Sequence, residues 1–320
     1  MNAAKPVPAP GFAGRIRHAA LGISARETLL SVRGFEGGTP SCRQGLEAAG
    51  GHFVIGYNLA LQCRGAADLV GQLDTIEPAL RGFAYEGAGM GVMTRKSLAP
   101  WSAIVDDFLR LADRHIYMVH IGMGWAMAVL PFYTTRSLRR MHPLYRWLAA
   151  DGWGFHNGYF HPQRTLHHHR RPRRLTGYAL RAYDQGVGRV AWFACCGQVE
   201  PVIALLAAFD PVRAVDLWAG VGLACTYAGG VSIAEIHRLL HAAGPHASSM
   251  RQGICFAATA RHRAGNALPH THEVCRGVLD QDLASVAQIA YNAEPTLEEG
   301  ESSSSFELWR ERIRTALDAK

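Results

Sequence analysis

Glycine recurs along this sequence with a period of about 65 residues, and this periodicity restricts the possible fold more than any other feature. One set of glycines lies in short segments rich in small residues, at intervals of 66, 64 and 67 residues: Gly56, Gly122, Gly186 and Gly253. A second set follows an arginine and an acidic residue, at intervals of 65 and 68 residues: Gly87, Gly152 and Gly220. Two landmarks with one period indicate about four diverged copies of a single unit.

The segments between the glycines have the patterns of helices. Residues 201–209 and 233–240 carry apolar residues at helical spacing, whereas alternating β-branched runs are sparse. We therefore predict a mainly α protein, a helical repeat of about four diverged ~65-residue units that forms an open solenoid or a closed α/α ring. Glycine costs about 1 kcal/mol relative to alanine inside a helix, so we expect the recurring glycines to lie where helices cross closely.

The two ends of the chain differ in composition from the repeats. Residues 1–14 are rich in proline and alanine and predict a disordered leader without a secretory signal. The helical-repeat domain is predicted over residues 15–292. Residues 293–305 are acidic and serine-rich, as in a linker, and residues 306–320 predict an amphipathic C-terminal helix that docks back or binds a partner.

Cysteine usage and hydropathy predict a cytoplasmic protein. The seven cysteines form no CxxC pair, and Cys195 and Cys196 are adjacent, which favours a reducing compartment. The longest apolar run, residues 116–132, is at the short limit of the ~17–25 residues that span a bilayer. We predict that it is a buried helix rather than a membrane span.

The net charge of +7 is concentrated between residues 164 and 174. Five arginines lie there, beside three consecutive histidines: Arg164, Arg170, Arg171, Arg173 and Arg174. Such a run attracts an acidic carrier protein, an anionic substrate or phosphates, and the alternative is a solvated loop without a partner. Few aromatic residues interrupt the run, so we predict no nucleic-acid partner.

Acidic residues at equivalent points of the repeat are candidates for catalysis. Glu86, Asp151 and Asp216 each follow an arginine, namely Arg81, Arg146 and Arg213. The arginines either bridge adjacent units while the acids cap helices, or the acids converge on a central pocket. His156 could transfer protons in such a pocket. The candidate catalytic residues are therefore His156, Asp151 and Glu86.

Two other motifs are weaker. Gly186-Val187-Gly188 fits a relaxed dinucleotide fingerprint, but no strand is predicted before it, and the repeat already accounts for both glycines. The histidine pairs lack the spacing that places two ligands on one helix face, so we predict no metal site. The cofactor stays unassigned.

Several long motifs are similar to those of one known family. They are the segment from Asp151 to Phe160, Tyr183-Asp184-Gln185-Gly186 with the glycine and arginine that follow, Asp216-Leu217-Trp218, and Ala264-Gly265-Asn266. Together they resemble the UnbL-like family of enediyne-biosynthesis proteins, a domain of unknown function, over about residues 15–290. The resemblance implies a role in converting a linear polyene into an enediyne core, and the family supplies no settled catalytic residues.

Two functions follow as expectations. The first is a biosynthetic enzyme that binds a long apolar polyketide-type substrate between repeats. Its predicted substrate-binding residues are mostly aromatic: Trp125, Trp153, Tyr159, Arg189, Trp218 and Asp216. The second is a non-catalytic binding or scaffold protein that docks an acidic carrier protein or a polyketide synthase through the arginine run.

Overall fold

The computed structural model describes residues 11–296 and 305–319, and within these ranges the chain is mainly helical and contains no strand. The α-helices in chain order are α1 (Phe12–Leu21), α2 (Pro40–Gln62), α3 (Ala66–Leu73), α4 (Pro78–Leu98), α5 (Ile104–Leu111), α6 (Ile116–Val129), α7 (Thr135–Leu138), α8 (Arg146–Phe160), α9 (Tyr178–Ala194), α10 (Val199–Ala207), α11 (Ala214–Tyr227), α12 (Ile233–Ala243), α13 (Ala247–Ala264), α14 (Pro269–Leu279), α15 (Leu283–Ala293) and α16 (Ser305–Asp318).

Seven of these helices form a continuous series in which each packs against the next: α2, α4, α6, α8, α9, α11 and α13. Shorter helices connect them, and several of these also contact one another, as α3 contacts α5 and α12 contacts α14. Except for α2, the series helices are buried over most of their length. In α6, for example, every residue from Ile116 to Met127 is buried.

Glycines allow the helices of the series to cross at very short distances. A β-carbon added at Gly122 would lie 1.7 Å from the carbonyl oxygen of Glu86 in α4, and one at Gly124 would lie 1.9 Å from that of Ala149 in α8. Side chains two residues apart on a helix point in nearly opposite directions, since each residue turns the helix by about 100°. Gly122 therefore allows the close approach of α4, and Gly124 allows that of α8.

The same geometry recurs along the series. Gly87, Gly152, Gly186 and Gly220 each face a backbone carbonyl of the preceding series helix, and Gly56 and Gly253 lie at equivalent crossings. The expectation that the recurring glycines lie where helices cross closely is confirmed.

The series curves so that a late helix touches an early one. Arg261 in α13 donates to the carbonyl oxygen of Ala79 in α4 at 2.8 Å and to that of Tyr227 in α11 at 2.7 Å. Asn266, just after α13, donates to the carbonyl oxygen of Pro78 at 3.0 Å. The start of α4 therefore contacts α13 and the residues just after it, in addition to its neighbours in the series.

The termini differ in part from the sequence prediction. Helix α1 begins at Phe12, so the leader predicted over residues 1–14 was too long at its C-terminal end; residues 1–10 lie outside the described residues, as do residues 297–304 of the predicted linker. Helix α16 packs against the end of the series and buries Phe306, Trp309 and Ile313. Its fully buried Arg310 pairs with Asp216 at 2.6 Å.

The apolar run at residues 116–132 forms the buried helix α6 and the turn that follows it. Among the described residues, no helix has both the length and the apolar character needed to cross a membrane.

Candidate functional site

An aromatic pocket lies between the series helices α2, α4, α6, α8 and α9. Its empty volume is about 600 Å³ including the open mouth. Seven aromatic residues line the wall: Phe53, Phe83, Trp125, Phe155, Tyr159, Phe160 and Phe193. We call this cavity the aromatic pocket.

The rings contact one another and are therefore held in place. The ring centroid of Trp125 lies 4.2 Å from that of Phe53 and 5.2 Å from that of Phe155. At the mouth, the hydroxyl of Tyr159 donates to the carbonyl oxygen of Thr28 at 3.1 Å. The 3-10 turn Ala25–Thr28 forms part of the rim, where Glu27 pairs with Arg33.

Glu86 is the buried carboxyl group of the aromatic pocket. It lies in the middle of α4, and only 3% of its surface is exposed. The indole nitrogen of Trp125 donates to its Oε1 at 3.2 Å, and Nη2 of Arg189 lies 3.7 Å from the same oxygen. Both contacts fall on Oε1.

Asp151 lies behind the pocket and positions Arg189. Nη1 of Arg189 donates to Oδ1 of Asp151 at 2.5 Å, and Gln185 donates to Oδ2 at 2.8 Å. The guanidinium also lies over the ring of Phe155, 5.0 Å from its centroid. Arg189 is therefore committed mainly to Asp151, and Glu86 receives only its weaker, longer-range attraction.

This division of contacts leaves Glu86 easy to protonate. Burial raises the pKa of Glu86 to about 7; Arg189 opposes the rise, and the negative charge of Asp151 adds to it. A carboxyl group with a pKa near 7 can give up or accept a proton at neutral pH, which is the property required of a general acid or base.

His156 lies next to the aromatic pocket but does not line it. Its ring packs edge-on against Trp125 with centroids 5.6 Å apart, and its Nδ1 lies 3.1 Å from the side-chain oxygen of Asn157. Burial lowers the pKa of His156 to about 4, so the imidazole is neutral at physiological pH. A role for His156 in proton transfer stays a prediction, and its side chain is not among those that line the aromatic pocket.

The predicted site residues thus separate into two groups. Glu86, Trp125, Tyr159 and Arg189 line one pocket, and Asp151 supports it. Trp153 instead packs under Arg174, whose guanidinium lies 4.6 Å from the ring centroid.

The remaining two predicted residues lie in α11, which contributes no residue to the pocket wall. Trp218 is buried there. Asp216 pairs with Arg181 at 3.0 Å in addition to Arg310, so its role in this structure is to hold α9, α11 and α16 together.

The interpretation that the arginines bridge adjacent units while the acids cap helices describes these residues only in part. Arg213, just before α11, pairs with Asp184 of the neighbouring helix α9, whereas Arg81 donates to the carbonyl oxygen of Ile76. Glu86 and Asp151 lie inside helices instead of capping them. The alternative, that acids converge on a pocket, describes these two residues but does not describe Asp216.

Sequence reasoning missed the phenylalanines of the wall, although a signal for part of it was present. The residue directly after the second glycine of a Gly-x-Gly motif faces inward in three successive helices: Trp125, Phe155 and Arg189 all line the pocket. The relaxed dinucleotide fingerprint is one of these motifs, and its glycines, Gly186 and Gly188, abut the backbones of α8 and α11.

Comparisons with known proteins give a family without an assigned activity. Neither curated proteins nor solved structures gave a match. One family model, described as "Protein of unknown function (DUF1702)", matches residues 12–317. Because this match covers nearly the whole chain, the protein belongs to the DUF1702 family.

Proposed function

We propose that this protein is an enzyme of polyene-type polyketide biosynthesis, related to the enediyne pathways that its motifs resemble. In this proposal a long apolar substrate binds in the aromatic pocket, between units of a helical repeat, and Glu86 transfers a proton. The observation that carries the proposal is the single buried carboxyl group of Glu86, with a pKa near 7, in a wall of aromatic rings.

The pocket wall supports an extended, conjugated ligand. Aromatic rings at fixed positions bind flat π-systems through stacked and edge-on contacts, each worth about 0.5–1.5 kcal/mol beyond the buried area. The Nε of Arg189 is buried without a hydrogen-bond partner among the described residues. A buried donor of this kind is costly unless a ligand or water accepts its hydrogen bond, so a polar group on the substrate near Arg189 would complete the site.

Glu86 would then act at the polar end of the substrate. In its neutral form the carboxyl donates its proton to a substrate atom, and the resulting carboxylate is stabilised by Trp125 and by the nearby charge of Arg189. The reverse step returns the proton. Asp151 and Gln185 are positioning residues in this scheme, because they act through Arg189.

Two measurements test the proposal together. A conjugated tetraene fatty acid serves as a fluorescent probe of binding, and product formation is measured after complementing a gene-deletion strain. Glu86→Gln keeps the shape of the side chain but cannot transfer a proton. We expect it to bind the probe within about twofold of wild type and to lower product at least about a hundredfold, the usual contribution of a general acid or base.

Matched variants make the outcome decisive. Trp125→Ala should weaken probe binding by about tenfold or more, since it removes a large ring from the wall. Glu273→Gln, at an exposed position of α14, should change neither quantity. Normal product yield from Glu86→Gln would exclude Glu86 as the acid or base, and would favour the alternative of a non-catalytic protein that docks an acidic carrier protein.

A further inference from the structure

A second cavity, on a different face of α8, carries the arginine run. It has about 850 Å³ of empty space including its mouth. Its walls contain all five arginines of the run together with Trp153 and Asn157 from one side of α8 and His161 directly after it. No carboxylate lines it among the described residues. We call it the arginine cavity.

The loop that carries these arginines is held rigidly by some of them. Arg174 donates to the carbonyl oxygens of Leu130 at 2.6 Å and Ala128 at 2.9 Å. Arg171 pairs with the fully buried Asp184. These two side chains tie the loop to α6 and α9.

Neighbouring residues add further attachments. The backbone N–H of Arg170 donates to the carbonyl oxygen of Arg164 at 2.8 Å, which closes the loop on itself. The carbonyl oxygen of His169 accepts from Arg213 at 2.9 Å, and the His169 ring stacks on Phe209 with centroids 4.0 Å apart. The alternative of a freely solvated loop does not fit these contacts.

The side chains of the other three arginines do not attach the loop to the helices. The guanidiniums of Arg164, Arg170 and Arg173 are exposed, and no hydrogen bond or ion pair to them is found among the described residues. Asp184 cannot neutralise them, because it is already shared by Arg171 and Arg213. The cavity therefore concentrates positive charge on a fixed framework.

We propose that the arginine cavity is a binding site for a small molecule bearing a phosphate or diphosphate group. Guanidinium groups bind phosphate oxygens through paired, charge-assisted hydrogen bonds, and several of them together match the multiple negative charge of a phosphate ester. The concave shape favours a small molecule over the surface of an acidic protein, because residues of α8 and the arginines line one cavity. The cavity has room for an organic group beside the phosphate.

Isothermal titration with inorganic pyrophosphate tests this site. We expect saturable binding with one site per chain, tighter than the binding of sulfate at equal ionic strength. Arg164→Gln, Arg170→Gln and Arg173→Gln should each weaken binding by roughly tenfold, since each removes a charge-assisted hydrogen bond. The triple variant should show no measurable binding.

Controls separate this site from general attraction to charge. Arg276→Gln, at an exposed position of α14, removes the same charge elsewhere and should bind pyrophosphate like wild type. Since the guanidiniums of the three test arginines make no hydrogen bond or ion pair among the described residues, thermal unfolding should show that the triple variant is folded.

Two outcomes would overturn the proposal. One is equal affinity for sulfate and pyrophosphate that the triple variant does not change, which would indicate non-specific attraction. The other is binding of a hexaglutamate peptide, but not of pyrophosphate, through the same three arginines, which would indicate a docking surface for an acidic protein.

Discussion

Glu86 shows how one residue can acquire an unusual protonation state beside an arginine. A carboxylate next to a guanidinium normally has a lowered pKa. Here Oδ1 of Asp151 lies 2.5 Å from Nη1 of Arg189, whereas Oε1 of Glu86 lies 3.7 Å from Nη2 and is surrounded by an apolar wall. Loss of hydration then outweighs attraction, and the pKa of Glu86 rises to about 7.

This shift predicts a pH-dependent effect of Glu86→Gln on stability. The folded state holds the Glu86 proton more tightly than the unfolded state, so wild type loses stability as the pH rises from about 4.5 to about 7. Glutamine is neutral at every pH and lacks this loss. We expect the variant to match wild type near pH 4.5 and to exceed it by about 3 kcal/mol at pH 8.

Urea denaturation of both proteins at several pH values measures this difference. The exposed Glu273→Gln serves as the control and should differ little from wild type throughout. A stability difference between Glu86→Gln and wild type that does not change with pH would show that Glu86 ionises normally in the folded protein.

At the scale of the helix, the recurring feature is a pair of glycines two residues apart. Each glycine of the pair allows one of the two neighbouring helices to pack closely. Helix α2 offers a test because it contains glycines in different surroundings. A β-carbon at Gly56 would lie 1.8 Å from the carbonyl oxygen of Ala84, whereas one at Gly45 would meet nothing within 4 Å. Contact with a neighbouring backbone can be relieved only by moving a helix.

We therefore expect opposite effects from the same substitution within α2. Gly56→Ala should lower the free energy of unfolding by about 3 kcal/mol or more, because overpacking displaces α4. Gly45→Ala should raise it by about 0.5–1 kcal/mol, because alanine restricts the unfolded chain and favours the helix. Chemical denaturation followed by circular dichroism measures both. Equal effects of the two substitutions would contradict the role assigned to the close crossings.

The helices and their close crossings could be predicted from sequence because both depend on local patterns. Apolar spacing indicates helices, and glycine at a constant interval marks equivalent contacts. The side-chain pairings could not be predicted in the same way. Asp216 meets Arg310, which lies 94 residues further along the chain, and Arg189 joins acids from two different helices. Such contacts depend on the curvature of the whole series.

The site was predictable in part for the same reason. Glu86 and Asp151 attracted attention as equivalent positions of a repeat, and they do meet at one arginine. Asp216 occupies a similar place in sequence, but α16 packs beside it and supplies a different partner. The phenylalanines of the wall were not distinguishable by sequence from other buried apolar residues.

On the scale of the whole molecule, the buried histidines and Glu86 have opposite effects on how the free energy of unfolding changes with pH. His115, His120 and His156 are all buried, and burial lowers the pKa of each to about 4. The folded state therefore binds these protons less tightly than the unfolded state, whose histidines titrate near 6.5. Each histidine destabilises the fold as the pH falls from about 6.5 to about 4, whereas protonation of Glu86 stabilises it.

Three histidines outweigh one carboxyl group, so we expect the protein to be sensitive to acid. Between pH 6.5 and 4.5 each histidine should lower the free energy of unfolding by about 2 kcal/mol and Glu86 should raise it by about 2 kcal/mol, a net loss of about 4 kcal/mol. Urea denaturation at the two pH values measures this loss. His120→Asn should reduce the net loss by about half, because it removes the contribution of one histidine, about 2 of about 4 kcal/mol. His272→Asn, at an exposed position, should leave the loss unchanged, and equal stability of wild type at both pH values would contradict neutral burial of the three imidazoles.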